Sequence, residues 1–247
     1  MIKIENTDVY GFEAAIRGMR NPMNSWDKSD SQWEETFGVS NDMSAGFFKT
    51  LSEIERNYDL KEAVKHDYEL SSYRDFIVGS NDLTLMKQLV KAGTDHSKFM
   101  RMINVTLDIT APLYWWKEFD TYKVGTVRNS CSTMHKIADK DFTLDDFSHE
   151  HLVWEAKDFL GTVIGYMNFC RENFLASKDK KWWWQMIQLL PSSYNQRATV
   201  QLNYQVLRNM YHARKNHRLD EWREFCEWTE TLPYSELITM VKEKENE

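Results

Sequence analysis

Two stretches of the sequence carry polar side chains at positions where they could bind a ligand. The first is the polar segment Lys123–Ser132, which includes Arg128, Asn129 and Cys131 and has a glycine at Gly125. It follows a predicted strand and a short predicted helix, an order of elements that often presents side chains to a ligand. An ordinary solvated loop between a helix and the next element explains the same spacing equally well.

The second stretch is a predicted helix, Ser193–Asn216, which follows a proline. At about 100° per residue, the following side chains fall within one sector or directly beside it: Asn203, Asn209, Met210, Arg214 and His217. Amide, guanidinium and imidazole groups on one face could bind a phosphate and a planar heterocycle. A polar subunit interface would use the same residue types, so the spacing leaves both interpretations open.

The histidine content predicts no metal site. His149 and His151 are two residues apart, and on a helix their side chains would point about 200° away from each other. Such a pair is more typical of a helix start or a solvated surface. The sequence also lacks the motifs of phosphate-binding loops, zinc proteases and serine hydrolases.

Composition narrows the function classes further. The 247 residues carry a net charge of −7, so no overall positive field attracts nucleic acid. The three cysteines contain no CxxC pair, which favours a reducing compartment. No signal peptide or membrane-spanning run is recognisable, and we expect a cytoplasmic protein without a membrane partner. The ten tryptophans indicate large buried rings in a core or an interface, or a site that stacks planar ligands.

The elements that must position these residues follow from periodicity. Apolar residues alternate over Met100–Ile109, which predicts a strand, and Pro112 then suits the start of a short aromatic helix, Leu113–Tyr122. An alternating N-terminal segment, Ile2–Tyr10, precedes a short helix, Phe12–Met19. Helical spacing is present in the ranges Ser44–Asn57, Asp59–Val64, Leu83–Lys91, His149–Ser177, Lys181–Leu190, Ser193–Asn216, Leu219–Thr229 and Tyr234–Glu243. These elements predict one α+β domain, 1–247, with a helical C-terminal half.

A longer pattern connects the two polar stretches. His96 stands 21 residues before Lys117, and the polar segment follows the predicted helix after Lys117. Further on, the run Gln188-Leu-Leu-Pro191 precedes Asn203, Asn209 and Arg214, which are six and five residues apart. In these spacings the chain resembles the flavin-dependent thymidylate synthases, the ThyX family. The resemblance covers about residues 80–230, and residues 1–80 diverge from the family.

The family signature, Arg-His-Arg-x-x-Ser-x-Asn-Glu-x-Ser-x-Arg-Tyr, aligns without a gap on the range Thr121–Met134. Lys123 keeps a positive charge and Thr126 keeps a hydroxyl. Cys131 takes the place of the serine that the family holds close to the reacting ring of the substrate. The positions that depart from the signature are Thr121, Tyr122, Asn129, Thr133 and Met134.

The resemblance implies an α/β fold with an antiparallel or mixed sheet, assembled as a homotetramer. It implies FAD as cofactor, with NADPH and methylenetetrahydrofolate as co-substrates in the reductive methylation of dUMP or a related pyrimidine nucleotide. The cofactor-binding residues would be His96, Lys117, Lys123, Asn203 and Asn209. The substrate-binding residues would be Thr126, Arg128, Asn129, Cys131, Arg214 and His217, with Cys131 and Arg214 in catalytic roles.

Two other functions are consistent with the same residues. One is a catalytically inactive nucleotide-binding homologue with a regulatory or interaction role, and the other is a pyrimidine nucleotide hydroxymethylase. Cys131 likewise has two interpretations. It is a nucleophile if a neighbouring cation such as Arg128 or Lys123 favours its thiolate, or a small buried residue that fills the serine's place.

Overall fold

The computed structural model describes residues 2–39 and 70–241, and the elements below belong to those two ranges. The strands are β1 (Lys3–Tyr10), β2 (Gln32–Val39), β3 (Leu70–Ile77), β4 (Asn104–Pro112), β5 (Val127–Ser130) and β6 (Asn195–Asn203). The helices are α1 (Phe12–Arg20), α2 (Ser80–Lys91), α3 (Leu113–Phe119), α4 (Thr133–Lys136), α5 (Trp154–Ser177), α6 (Lys180–Leu189), α7 (Tyr204–Arg214), α8 (Asp220–Glu230) and α9 (Glu236–Thr239). Short 3₁₀ turns lie at Asn21–Met23, Trp26–Lys28, Lys98–Arg101 and Leu144–Asp146.

Four strands form an antiparallel sheet in the order β1-β4-β6-β5. Side chains alternate between its two faces, because successive residues of a strand point in opposite directions. On β4, Val105, Leu107 and Ile109 are buried, and on β6 the neighbouring Val200 and Leu202 are buried with them. One face of the sheet therefore carries the hydrophobic core.

The opposite face of this sheet carries polar side chains that bond across the strands. The Asp108 carboxylate of β4 accepts hydrogen bonds from Thr199 at 2.6 Å and from Arg197 and Asn6 at 2.8 Å each. The bond from Thr199, then those from Arg197 and Asn6, hold the pKa of Asp108 well below its usual range. These bonds connect β4 and β6 with β1 on the polar face.

An aromatic cluster connects α3 with α8. The rings of Trp115 and Trp116 lie 4.9 Å apart between centroids, and Trp115 lies equally close to Trp222. Phe119 and Phe225 complete the cluster, and all five side chains are buried. Burial of rings this large contributes much of the hydrophobic stabilisation, so the position of α3 against α8 is tightly determined.

A second hydrophobic cluster lies between α5 and α6. Leu160, Ile164 and Met167 form one stripe along α5, and they pack with Met186 of α6 and with Phe147. Their spacing of three to four residues is that of one helix face. The stripe explains why this long helix is stable although many of its other side chains are exposed.

The contacts divide the chain into two compact units, one made of Met1–Met19 with Met86–Glu247 and the other of Arg20–Leu85. In the second unit, β2 pairs with β3 in antiparallel register. The buried Asp82 accepts a 2.6 Å bond from Arg20 Nε there and bonds from the hydroxyls of two serines. The number of domains stays a prediction.

Most predicted elements are confirmed, with shifted ends. The strand of Met100–Ile109 is β4, which begins at Asn104 because Lys98–Arg101 forms a 3₁₀ turn, and the short aromatic helix is α3. The helix predicted from His149 begins at Trp154 and the one at Leu83–Lys91 begins at Ser80. The predicted helices Ser44–Asn57 and Asp59–Val64 lie outside the described residues. No helix in the described part of the chain combines the length and apolarity needed to span a bilayer.

In two predicted segments the structure has a different type of secondary structure from the one expected. The predicted helix Ser193–Asn216 is wrong in its first half, because β6 occupies Asn195–Asn203 and only α7 is helical. Burial alternates along β6, as it does in a strand with one core face, and the apolar Ala198, Val200 and Leu202 carry this period of two in the sequence itself. The polar segment Lys123–Ser132 contains β5, an edge strand that pairs with β6.

Candidate functional site

Arg214 and His217 both lie close to the carboxylate of Glu118, which forms the centre of a polar cluster. Glu118 of α3 accepts at its Oε2 atom from Arg214 Nη1 at 2.7 Å and from Trp222 Nε1 at 3.0 Å. His217 Nε2 lies 3.4 Å from the same oxygen. Tyr122 completes the group through Arg214, and we call these five residues the Arg214 cluster. Two N–H donors thus bond to one carboxylate oxygen, and the His217 imidazole lies close beside it.

Each donor is also held by a contact that does not involve Glu118. Arg214 Nε donates to Tyr122 Oη at 3.0 Å, and the guanidinium lies 4.9 Å from the ring centre of Trp222. The Leu219 amide donates to His217 Nδ1 at 3.2 Å, which places the proton of the neutral imidazole on Nε2. Trp222 is fully buried in the aromatic cluster. The donors are therefore oriented in advance toward a negative oxygen.

The segment from Tyr122 to Gly125 runs beside α7 in the opposite direction. Tyr122 contacts Arg214 at the C-terminal end of this eleven-residue helix, which rises about 16 Å along its axis. At the other end, a Cβ on Gly125 would lie 3.0 Å from Asn203 Nδ2 and 3.2 Å from a Val206 methyl. Gly125 also has φ +76°, a conformation that favours glycine, and the close approach leaves little room for a side chain.

The N-terminal end of α7 combines several groups that suit a phosphate. Asn203 is the N-cap, and its side-chain oxygen accepts from the Val206 amide at 3.1 Å. Thr126 Oγ1 is buried with no hydrogen-bond partner among the described residues, and Lys123 nearby in the chain is exposed. A helix N-terminus attracts anions, and an unpaired hydroxyl and a lysine can each donate to phosphate oxygens.

Arg128 is engaged within the chain. Its Nη1 donates to both carboxylate oxygens of Asp120 at 2.8 Å, its Nη2 donates to Gln196, and its guanidinium lies 3.9 Å from the ring centre of Trp116. Because side chains alternate along β5, Arg128 points to the face opposite that of Asn129. The predicted substrate residue Arg128 is thus fixed against α3 and β6.

Cys131 continues the pairing of β5 with β6. Its amide donates to the Arg197 carbonyl at 2.9 Å, and its own carbonyl accepts from Gln196 Nε2 at 2.8 Å. The thiol is free and exposed, and Asn129 is exposed as well. The interpretation of Cys131 as a small buried residue is therefore wrong, since its side chain is open to solvent.

The remaining predicted cofactor residues lie at two places. His96 and Lys117 have exposed side chains. Asn209 accepts from the buried Gln205 amide at 3.2 Å, and Gln205 in turn accepts from Ser97 Oγ at 3.4 Å. A hydrogen-bonded chain therefore connects the residue after His96 with the middle of α7. Among the residues singled out in the sequence, the structure brings Arg214 close to His217 and Gly125 close to Asn203. It separates Arg128 from Asn129, which lie on opposite faces of β5.

Sequence reasoning missed Glu118, Tyr122 and Trp222 of the Arg214 cluster, and also Gln205. One signal was available, because Glu118 and Tyr122 are four residues apart and would share a face of the predicted helix Leu113–Tyr122. Trp222 comes from α8, which packs on α3 only in the folded chain. No local pattern in the sequence indicates that contact.

The two histidines after Phe147 have separate partners. His149 Nδ1 donates to the Phe147 carbonyl at 2.8 Å, whereas His151 Nε2 lies 3.2 Å from Asp220 Oδ2. Across residues 2–39 and 70–241 no group of three or more histidine, cysteine or acidic side chains is arranged to hold a metal ion.

No protein-family model matches the chain, and no curated protein sequence matches it either. Solved structures are similar to it, and two of them are flavin-dependent thymidylate synthase ThyX from Helicobacter pylori with FAD and dUMP. The first shares 13% identity at a TM-score of 0.61 and covers 98% of this chain and all of its own. The second shares 12% identity at a TM-score of 0.64, with 97% and 98% covered.

These comparisons define the class to which the fold belongs. The chain has the α/β fold of the ThyX structures over nearly its whole length, which confirms the predicted fold class. The likeness extends beyond residues 80–230, on which the sequence resemblance depends. At 12–13% identity it shows the fold.

Proposed function

We propose that this protein is a divergent flavin-dependent thymidylate synthase that binds FAD and a pyrimidine nucleotide along α7. The observation that carries the proposal is the Arg214 cluster. It presents preorganised N–H donors beside a loop that resembles the family signature, on a fold whose solved neighbours contain FAD and dUMP. Donors fixed in advance toward negative charge are what an anionic substrate requires.

We place FAD at the N-terminal end of α7. Lys123, Thr126 and the Asn203 cap would hold its phosphates, and the Thr126 hydroxyl would supply a donor that has no partner among the described residues. Asn209, fixed by Gln205, would contact the cofactor farther along the helix. Once NADPH has reduced it, the bound flavin would supply the hydride, and methylenetetrahydrofolate would supply the carbon.

The nucleotide would occupy the C-terminal end of α7. Arg214 and His217 would donate to its anionic groups, because a nitrogen of each lies within 3.4 Å of the same carboxylate oxygen. Asn129 and Cys131 are exposed on the polar face of the sheet, away from Arg214, so we assign them to the pyrimidine side of a site that another copy of the chain completes. In the proposed site these residues would position the nucleotide, while the cofactors would carry the redox chemistry.

The assembly is part of the same proposal. His96 and Lys117 expose their side chains at the surface of this chain. In a homotetramer, exposed residues of one copy would complete the site of another. Light scattering in solution measures the molecular mass, and four chains per particle is the expected result.

A second candidate function is a nucleotide-binding homologue without turnover. It is favoured by the engagement of two arginines within the chain, Arg214 by Glu118 and Arg128 by Asp120. An arginine that is already paired must exchange that partner before it can bind a ligand.

Product analysis separates the candidates. The protein is incubated with dUMP, methylenetetrahydrofolate, FAD and NADPH, and nucleotides are identified by mass spectrometry. We expect dTMP, and we expect Arg214→Met to abolish it while the variant stays folded. A hydroxymethylated nucleotide would indicate the hydroxymethylase instead. Retained dUMP binding without any product would indicate the second candidate.

A further inference from the structure

The Arg214 cluster already contains an anion, the carboxylate of Glu118. Resting on the proposed function, we propose that Glu118 is an intramolecular competitor that holds the place of a ligand phosphate and must leave before the nucleotide binds. One oxygen of this carboxylate accepts from Arg214 and Trp222 and lies within 3.4 Å of His217 Nε2. A phosphate oxygen accepts from the same set of N–H donors.

The donors do not depend on Glu118 for their orientation. Arg214 is held by the Tyr122 hydroxyl and by the face of Trp222, and His217 by the Leu219 amide. If the carboxylate swings away, the guanidinium and the indole keep pointing to the vacated position, and the imidazole stays beside it. This arrangement distinguishes the cluster from an ion pair in which each partner is fixed only by the other.

Glu118 is placed where it can leave. It lies near the end of the short helix α3, and its side chain is 34% exposed, against 21% for Arg214 and 23% for His217. Ion pairs this open to solvent are weak, because water screens them and the long side chains lose entropy. Rotation about the side-chain torsions of Glu118 carries the carboxylate into solvent without moving the backbone.

The carboxylate of Glu118 lowers the affinity of the Arg214 cluster for an anionic ligand in two ways. It keeps the donors occupied, so only the fraction of molecules with Glu118 displaced can bind an anion, and the apparent affinity falls by that fraction. It also balances the charge of Arg214, so a phosphate that approaches meets a neutral pair. Removing its charge while keeping its shape should therefore strengthen anion binding.

The test is Glu118→Gln, which keeps an acceptor oxygen but no charge. Binding of dUMP and of inorganic phosphate is measured by calorimetry on the full chain. We expect the variant to bind both probes about tenfold more tightly than the parent protein, and the double variant with Arg214→Met to lose that gain. Glu227→Gln, which removes one exposed carboxylate from α8, is the matched control and should show no gain.

The outcomes separate this inference from the proposed function. If Glu118→Gln binds phosphate more tightly than the parent protein but no variant binds dUMP, the competitor role of Glu118 is supported. The same result contradicts the proposal that the substrate is dUMP. No gain for either probe in a folded Glu118→Gln protein overturns the inference, and dUMP binding by the parent protein then decides the proposed function alone. An equal gain in Glu227→Gln also overturns it, because it would report only net charge.

Discussion

Carboxylates of the same chain pair with Arg128 of β5, Arg197 of β6 and Arg214 of α7. Arg214 pairs with Glu118, Arg128 with Asp120, and Arg197 with Asp108, at 2.7 to 2.8 Å. The first pair lies beside α7, the second holds an edge strand to α3, and the third crosses the polar face of the sheet. At the residue scale, function thus depends on which of these pairs a ligand can displace.

The three cysteines differ in their surroundings, and we expect only one to react quickly. Cys170 and Cys226 are buried, and burial raises the pKa of both thiols, that of Cys226 to about 12. Their thiolate forms are therefore scarce near neutral pH, whereas Cys131 is exposed. An aromatic disulfide reagent should modify one thiol per native chain and three after denaturation. Cys131→Ser should remove the fast reaction, and a second fast thiol in the native parent would contradict the burial.

Residue types were predictable from the sequence, but their partners were not. The spacing in the C-terminal half placed Arg214 and His217 together, and the structure confirms their proximity. Glu118 and Trp222 lie about a hundred residues away from each other, so their contact requires the packing of α3 on α8. Polar pairings of this kind depend on tertiary structure rather than on local pattern.

At the element scale, Asn203 marks the boundary between β6 and α7. The prediction extended one helix across this boundary, although Ala198, Val200 and Leu202 alternate with the period of a strand. The structure ends the strand at Asn203, whose side chain then caps the helix. The residue assigned to a helix face is thus the residue that starts the helix.

This cap predicts the effect of one substitution. Asn203→Ala removes the bond to the Val206 amide and should lower the free energy of unfolding by about 1 kcal/mol. Asn203→Asp keeps an acceptor and is the matched control. Denaturant unfolding measures both variants. An Asn203→Ala protein as stable as the parent protein would show that the cap contributes nothing.

Asp82, at the start of α2, makes the stability of the folded state depend on pH. Burial alone would raise the pKa of Asp82, but hydrogen bonds from Ser29, Ser31 and Arg20 outweigh it and lower the pKa. A carboxyl whose pKa is lower in the folded state stabilises it above the unfolded pKa of about 3.9. This contribution is lost as the pH falls through the folded pKa.

Hydrogen exchange at the amides of Asp30 and Ser31, which donate to Asp82, measures this loss. Relative to intrinsic rates, their protection should fall on acidification in the parent protein. In Asp82→Asn it should already be low at neutral pH and change little. Asp27→Asn makes the same carboxyl-to-amide change at an exposed residue, and this control should leave the protection unchanged. Unchanged protection of the parent protein in acid would contradict the assignment.

At the scale of the whole molecule, the fold class was predictable and the site was predictable in part. The alternating strands, the helical C-terminal half and the spacing of Asn203, Asn209 and Arg214 led to the ThyX resemblance, and the solved neighbours confirm the fold. The polar segment was expected to present Arg128 beside Asn129. Strand alternation in β5 separates them, because the segment is a paired edge strand instead of a loop.

The central claim is that the surface along α7 binds a flavin and a pyrimidine nucleotide. The most direct measurement is the visible absorbance spectrum of the protein with FAD, before and after dUMP is added. We expect a bound flavin spectrum that dUMP perturbs in the parent protein, and that dUMP leaves unchanged in Arg214→Met. A protein that retains no FAD, and whose spectrum ignores dUMP, would contradict the claim and leave only the fold in common with the ThyX structures.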